Sequence, residues 1–188
     1  MANVDAPRGA RPVNKDGSPY NGSLRKMQVD ASNATAIFRG DFVVQEADGN
    51  IAPATAGATN VIVGVAVGPV VDRSVAATEH PGYIPATTAG YVLVAPAESC
   101  YFAIQEDSVV STLAATDRGA RIDFIAGAGS TTTGISAHEL DSSSVGQNAT
   151  YQLSLIDIVE KEDNTYGTNA EWIVKVNLPQ EGAATAGI

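Results

Sequence analysis

The amino-acid sequence predicts an all-β protein, a compact β-barrel or β-sandwich body that carries a long extended N-terminal arm. Three observations lead there. Valine and isoleucine together number 32 against 7 leucines in 188 residues, and β-branched side chains suit a pleated surface better than a helix. Short apolar runs alternate with turn-forming residues from position 26 to 177, the spacing of a sandwich or barrel. The first 24 residues carry no hydrophobic period and are broken by Pro7-Arg8-Gly9, Arg11-Pro12, Asp16-Gly17-Ser18-Pro19 and Asn21-Gly22-Ser23, each a turn or extended kink. The expected divisions are an arm over 1–25, a body over 26–178 and a tail over 179–188.

Taken in order, strands are predicted over 26–29, 35–39, 42–46, 61–67, 90–95, 101–105, 121–126, 151–160 and 171–177. Arg39-Gly40-Asp41, Asp48-Gly49-Asn50, His80-Pro81-Gly82 and Asp163-Asn164 mark turns between them. Only 107–117 has room for a helical turn or two. Residues 61–67 and 91–94 are apolar on both faces, which predicts central strands or strands at an interface. In the last strand Trp172, Val174 and Val176 share one face while Glu171, Lys175 and Asn177 share the other, and Ile173 breaks the alternation. Residues 51–57 and 84–90 are similar, and each leads into an apolar strand. Two copies fall short of a repeat architecture.

Charge is divided unevenly. Residues 1–39 hold six cations and three acids, whereas 40–188 hold five cations and 18 acids. A body this acidic repels nucleic acid and anionic membrane, because phosphate binding needs clustered Lys and Arg. The basic arm instead suits an acidic protein surface, either a neighbour's or its own body's. Its isolated apolar residues Val4, Val13, Tyr20 and Leu24 then serve as anchors. Arg8, Arg11, Lys15, Arg25 and Lys26 supply the electrostatic contacts. Fully extended, the arm would reach roughly 90 Å. With one cysteine, no intrachain disulfide forms, and no charged n-region followed by an apolar h-region opens the chain. The expectation is a soluble protein made in a cytoplasm.

Chemical motifs are incomplete. Gly127, Gly129 and Gly134 lie in one glycine-rich loop, but Ile135-Ser136 stands where a phosphate loop needs Lys-Ser/Thr, and Thr132 takes the place of the third glycine of a dinucleotide fingerprint. The loop resembles the glycine-rich segment of trimeric β-fold dUTP hydrolases, whose site also needs a water-orienting aspartate and a base-stacking aromatic; the sequence does not place either. His80 sits in a turn, and His138-Glu139-Leu140-Asp141 lacks the second histidine of a zinc helix. Cys100, Phe102 and Ile104 share a strand face, which predicts a buried, inert thiol. Asp157, Glu160, Glu162 and Asp163 crowd a hairpin end without the spacing of a calcium loop. Neither a catalytic residue nor a cofactor or metal is expected.

Several stretches resemble tailed-bacteriophage head proteins that decorate the capsid exterior. They are Met1-Ala2-Asn3-Val4-Asp5-Ala6-Pro7-Arg8-Gly9, 16–22, 102–108, 127–134, 160–164 and 168–172. Arg39 departs from the pattern, which has an apolar or neutral residue there. The resemblance implies a virion structural protein that cements neighbouring subunits of the major capsid protein against internal DNA pressure. A trimeric β body and the arm would make the contacts on the capsid exterior after assembly in the host cytoplasm. No nucleic acid or membrane partner is implied. A trimeric nucleotide hydrolase and a glycan-binding tail or adhesion module are the alternatives, the latter disfavoured by few aromatics outside core-type positions.

Overall fold

The computed structural model describes residues 3–70 and 81–181, so His80 and most of the tail lie outside the described residues. The strands are β1 (Arg11–Val13), β2 (Arg25–Val29), β3 (Phe42–Gln45), β4 (Ile51–Pro53), β5 (Gly64–Pro69) and β6 (Gly90–Pro96). They continue with β7 (Tyr101–Gln105), β8 (Arg121–Ile122), β9 (Phe124–Ile125), β10 (Glu139–Leu140), β11 (Leu153–Ile158) and β12 (Glu171–Val176). A 3-10 turn, Ala115–Asp117, falls within the stretch that had room for a helical turn.

Two five-stranded antiparallel sheets, ordered β1-β7-β12-β11-β8 and β2-β6-β5-β3-β4, are accompanied by a two-stranded β9-β10 sheet. The chain is all-β, and the body is sandwich-like rather than a closed barrel. Phe102, Ile104, Trp172 and Val174 from the first sheet share one core with Phe42, Val65 and Ala95 from the second. Phe42 stands 6.0 Å edge-on to Phe102 and 4.8 Å from Phe124, the offset geometry aromatic rings prefer. Each such side chain contributes roughly 1.5–3 kcal/mol by leaving water. Cys100 belongs to this core at 1% exposure, beside Phe102 and Ile104 as their common face requires.

Both sheets are apolar on their outer faces as well. Val92 and Val94 of β6, Ala66 of β5 and Val43 of β3 pack outward beneath Ile37 and Ile84, whose backbones pair with each other. This accounts for strands apolar on both faces: β5 and β6 lie inside their sheet, and the chain's own segments cover this outer face. Residues 35–39, predicted as a strand, lie on the sheet as part of this cover and make only isolated bridges, Ile37 to Ile84 and Arg39 to Ile135. Ile51 joins the same outer cluster as Ile84, so the two similar stretches end in one place. The first of them, read as a lead-in, is itself edge strand β4.

On the outer face of the first sheet, Val13 of β1 packs beside Ala103 of β7 and Ile173 of β12, and the turn at Gly17 that follows it lies over Ile173. Ile173 breaks its strand's alternation because this second face is also buried. Of the two surfaces that suit the basic N-terminal segment, a neighbour's or its own body's, its described residues lie on the second. Residues 3–20 lie as a strap across the chain's own body, and β1 pairs with β7, Arg11 opposite Ala103 and Val13 opposite Tyr101. The predicted strand 121–126 is split at Asp123, sending β8 to the first sheet and β9 to the small one.

Candidate functional site

The strap is fastened mostly by polar contacts. Asn3 Nδ2 donates to the carbonyls of Thr165 and Thr168 at 2.7 and 2.8 Å. Gln105 Nε2 donates to the Val4 carbonyl at 2.7 Å, and its Oε1 accepts the Ala6 N–H at 3.0 Å. The Ala10 N–H donates to the Gly40 carbonyl at 2.9 Å. Gly9 and Gly40 permit this approach. Both have positive φ, 66° and 100°. A Cβ on Gly9 would fall 2.5 Å from Ser136 Cβ, and one on Gly40 2.6 Å from the Arg8 carbonyl.

The nine arm residues divide into three sets. Val13 is fully buried and Tyr20 half-buried against the core, so these two anchors serve their own body. Arg11 Nη2 bonds Glu171 Oε1 at 2.8 Å, Arg25 pairs with Glu181, and Lys26 Nζ lies 3.9 Å above the Tyr91 ring. Val4, Arg8, Lys15 and Leu24 remain exposed. Among the described residues, Arg8 and Lys15 have no carboxylate partner.

A groove of about 910 Å³ runs between the strap and the turn that precedes β12. Arg8, Arg11, Arg39 and Lys161 line it, against two acids, Asp163 and Glu171. Glu171 serves two of these cations, since Lys161 Nζ lies 3.0 Å from its Oε2. Burial alone would raise the Glu171 pKa, but Arg11 and Lys161 bring it below the ordinary carboxylate value. Buried Asn164 holds the strand in place, donating to the Val159 and Glu171 carbonyls at 2.8 and 2.9 Å and accepting the Glu171 N–H at 2.9 Å. Sequence reasoning placed neither Arg39 nor Lys161 in a site. Arg39 stands out in the sequence only as a departure from the pattern of the head proteins it resembles.

Beneath the strap lies a buried polar cluster. Asp41 Oδ2 accepts the Phe38 N–H at 2.7 Å, while Oδ1 faces His138 Nε2 at 3.4 Å. His138 Nδ1 accepts the Phe42 N–H at 3.4 Å, which leaves the imidazole proton on Nε2, toward Asp41. Burial pushes the His138 pKa down to about 4. It pushes Asp41 up to about 6 against the Ser136 hydroxyl and the Phe38 N–H, which favour the charged form. Ser136 Oγ accepts the His138 N–H at 3.0 Å. The imidazole thus faces the carboxylate and not the serine, so the trio lacks the base-to-hydroxyl contact that nucleophilic catalysis needs.

Other suspected features are occupied structurally. In the glycine-rich loop, Gly129 lies against the Phe38 ring, where a Cβ would come within 2.3 Å, and Phe38 stacks on Tyr83 at 4.7 Å. Asp157 accepts from Tyr166 at 2.8 Å and meets Arg118 at 3.4 Å. Buried Glu106 accepts the Leu113 N–H at 2.8 Å and the Ser108 hydroxyl at 3.0 Å, closing the loop that exposes Val109 and Val110. Among the described residues no group of three His, Cys, Asp or Glu side chains is placed to hold a metal ion, and no helix is long and apolar enough to cross a membrane. Comparisons with protein-family models, with curated proteins and with solved structures return no match.

Proposed function

We propose that this chain is a virion structural protein of a tailed bacteriophage, a homotrimer that binds the outer capsid surface and cements neighbouring major capsid subunits against internal DNA pressure. The reading rests on the resemblance of its sequence to capsid-decorating head proteins. The structural observation that carries it is the strap. It is fastened to a sandwich body while Val4, Arg8 and Lys15 along it, and Leu24 just beyond it, remain exposed. In a chain of net charge −10, that strip, where Asp5 and Asp16 offset Arg8 and Lys15, is free of the body's excess negative charge and offers a contact surface on a rigid support. Three such straps on a trimer add their weak contacts through avidity. Cementing needs adhesion and stiffness rather than turnover, and both reside in strap and sandwich.

The test is co-sedimentation with empty shells lacking this protein. Deleting residues 1–24 would also remove Val13 from the body, so the sharper variant is Arg8→Glu with Lys15→Glu. Light scattering of the unmodified protein should report a trimer, and the double variant should lose shell binding while keeping its melting temperature. Shell binding undiminished by the double variant would refute the strap as the adhesive element, and no binding by the unmodified chain would refute the function.

A further inference from the structure

We propose that the groove between the strap and the turn before β12 is a docking site for an extended acidic segment of a partner protein. Its lining reverses the sign of the rest of the molecule: four cations face two acids in a chain with 21 acids and 11 Lys and Arg. One carboxylate, Glu171, already takes both Arg11 and Lys161. Arg8 and Arg39 stand exposed with no carboxylate partner among the described residues. The unmatched charge is therefore positive, and it is carried by guanidinium groups, which grip carboxylates with paired hydrogen bonds.

The form of the ligand follows from the remaining lining. A compact sugar or nucleotide site needs convergent polar groups or an aromatic platform. Here the carboxamides of Asn3, Gln105 and Asn164 are engaged by their own chain, which leaves that of Asn169 alone free among the described lining residues, and none of those residues is aromatic. What remains is a floor of small and apolar residues, including Ala10, Ala66 and Val67, beneath arginines on long stems. That suits a peptide backbone lying along the floor with its carboxylates turned to Arg8 and Arg39. The assignment deepens the proposed function by giving the chemistry of the partner's contact. It is tested on a peptide, so a chain that binds the peptide but ignores shells refutes the capsid reading alone.

The experiment is fluorescence anisotropy of labelled hexaglutamate titrated with the full chain at low and physiological salt. Inorganic phosphate and oligothymidylate are tested as competitors. The expected result is saturable binding that weakens with salt and falls at least about tenfold in Arg8→Glu with Arg39→Glu. Arg8→Gln with Arg39→Gln, which adds no charge beside Glu171, should weaken binding at least about threefold. Arg25→Glu, at a residue outside the groove lining, should bind as the unmodified chain does. No binding, indifference to both double variants, or an equal loss in Arg25→Glu would overturn the site. Displacement by phosphate or oligothymidylate at concentrations matching hexaglutamate would overturn the acidic peptide as its ligand.

Discussion

The outer face of the β2-β6-β5-β3-β4 sheet is closed by the segments around Ile37 and Ile84, whereas that of the β1-β7-β12-β11-β8 sheet is closed by the N-terminal strap. The first closure buries a cluster of ten apolar residues. The second buries four among the described residues; the covering segments themselves supply Ile37 and Ile84 in the first and Val13 in the second. The strap also sets Ala10 and Tyr20 on the central core and pairs β1 with β7, but its first residues are held by exposed hydrogen bonds and its ion pair has an arginine that is 54% exposed, and such contacts are each worth little. One covering is thus part of the core in all but position. The other is a fastening, stable enough to shape a groove and weak enough to open locally without unfolding the sandwich.

The largest expected effect lies in the first covering. Ile37→Ala should cost about 2–5 kcal/mol in global stability by denaturant titration, because Ile37 is 2% exposed against the sheet. A loss under about 1 kcal/mol would erase the distinction from the strap.

Next comes the pair between the two coverings, Asp41 with His138. With its pKa raised to about 6, folded Asp41 keeps a proton that the unfolded chain has released, so its contribution falls as pH rises from about 4 to 6. With its pKa lowered to about 4, folded His138 lacks a proton that the unfolded chain binds, so its contribution rises from about pH 4 to 6.5. The two slopes oppose each other. Asp41→Asn should unmask a stability gain of about 3 kcal/mol from pH 4 to 6.5, and His138→Gln a loss of about 3 kcal/mol from pH 4 to 6. Flat profiles in both variants would contradict the buried pair.

The smallest effect is in the strap. Glu171→Gln deprives Arg11 and Lys161 of their shared carboxylate and should loosen the strap by about 1 kcal/mol. Amide exchange at Arg11 and Val13 would then quicken roughly fivefold, with exchange at Val92 and Val94 unchanged. Equal acceleration at both places would mean that the two coverings open together.

Much of the fold was legible where a strand carries its own period. The alternation of Trp172, Val174 and Val176 and the common face of Cys100, Phe102 and Ile104 are local patterns, and the core follows them. Strands β1, β4 and β10 escaped notice because two or three residues carry no period; their pairing partners define them. The site was legible only in part. The basic arm could be read, but the pairing of Arg11 with Glu171 joins positions 160 residues apart.

The sequence alone determined the β class, the inward faces of the long strands, the absence of an intrachain disulfide and the opposed charge of head and body. Those properties depend on composition and on spacing between near neighbours. Only the tertiary structure decided that the arm is a strap, that Val13 explains Ile173, and that Arg8, Arg39 and Lys161 line one groove. Each is a meeting of distant residues, and its partner is chosen by how the sheets stack.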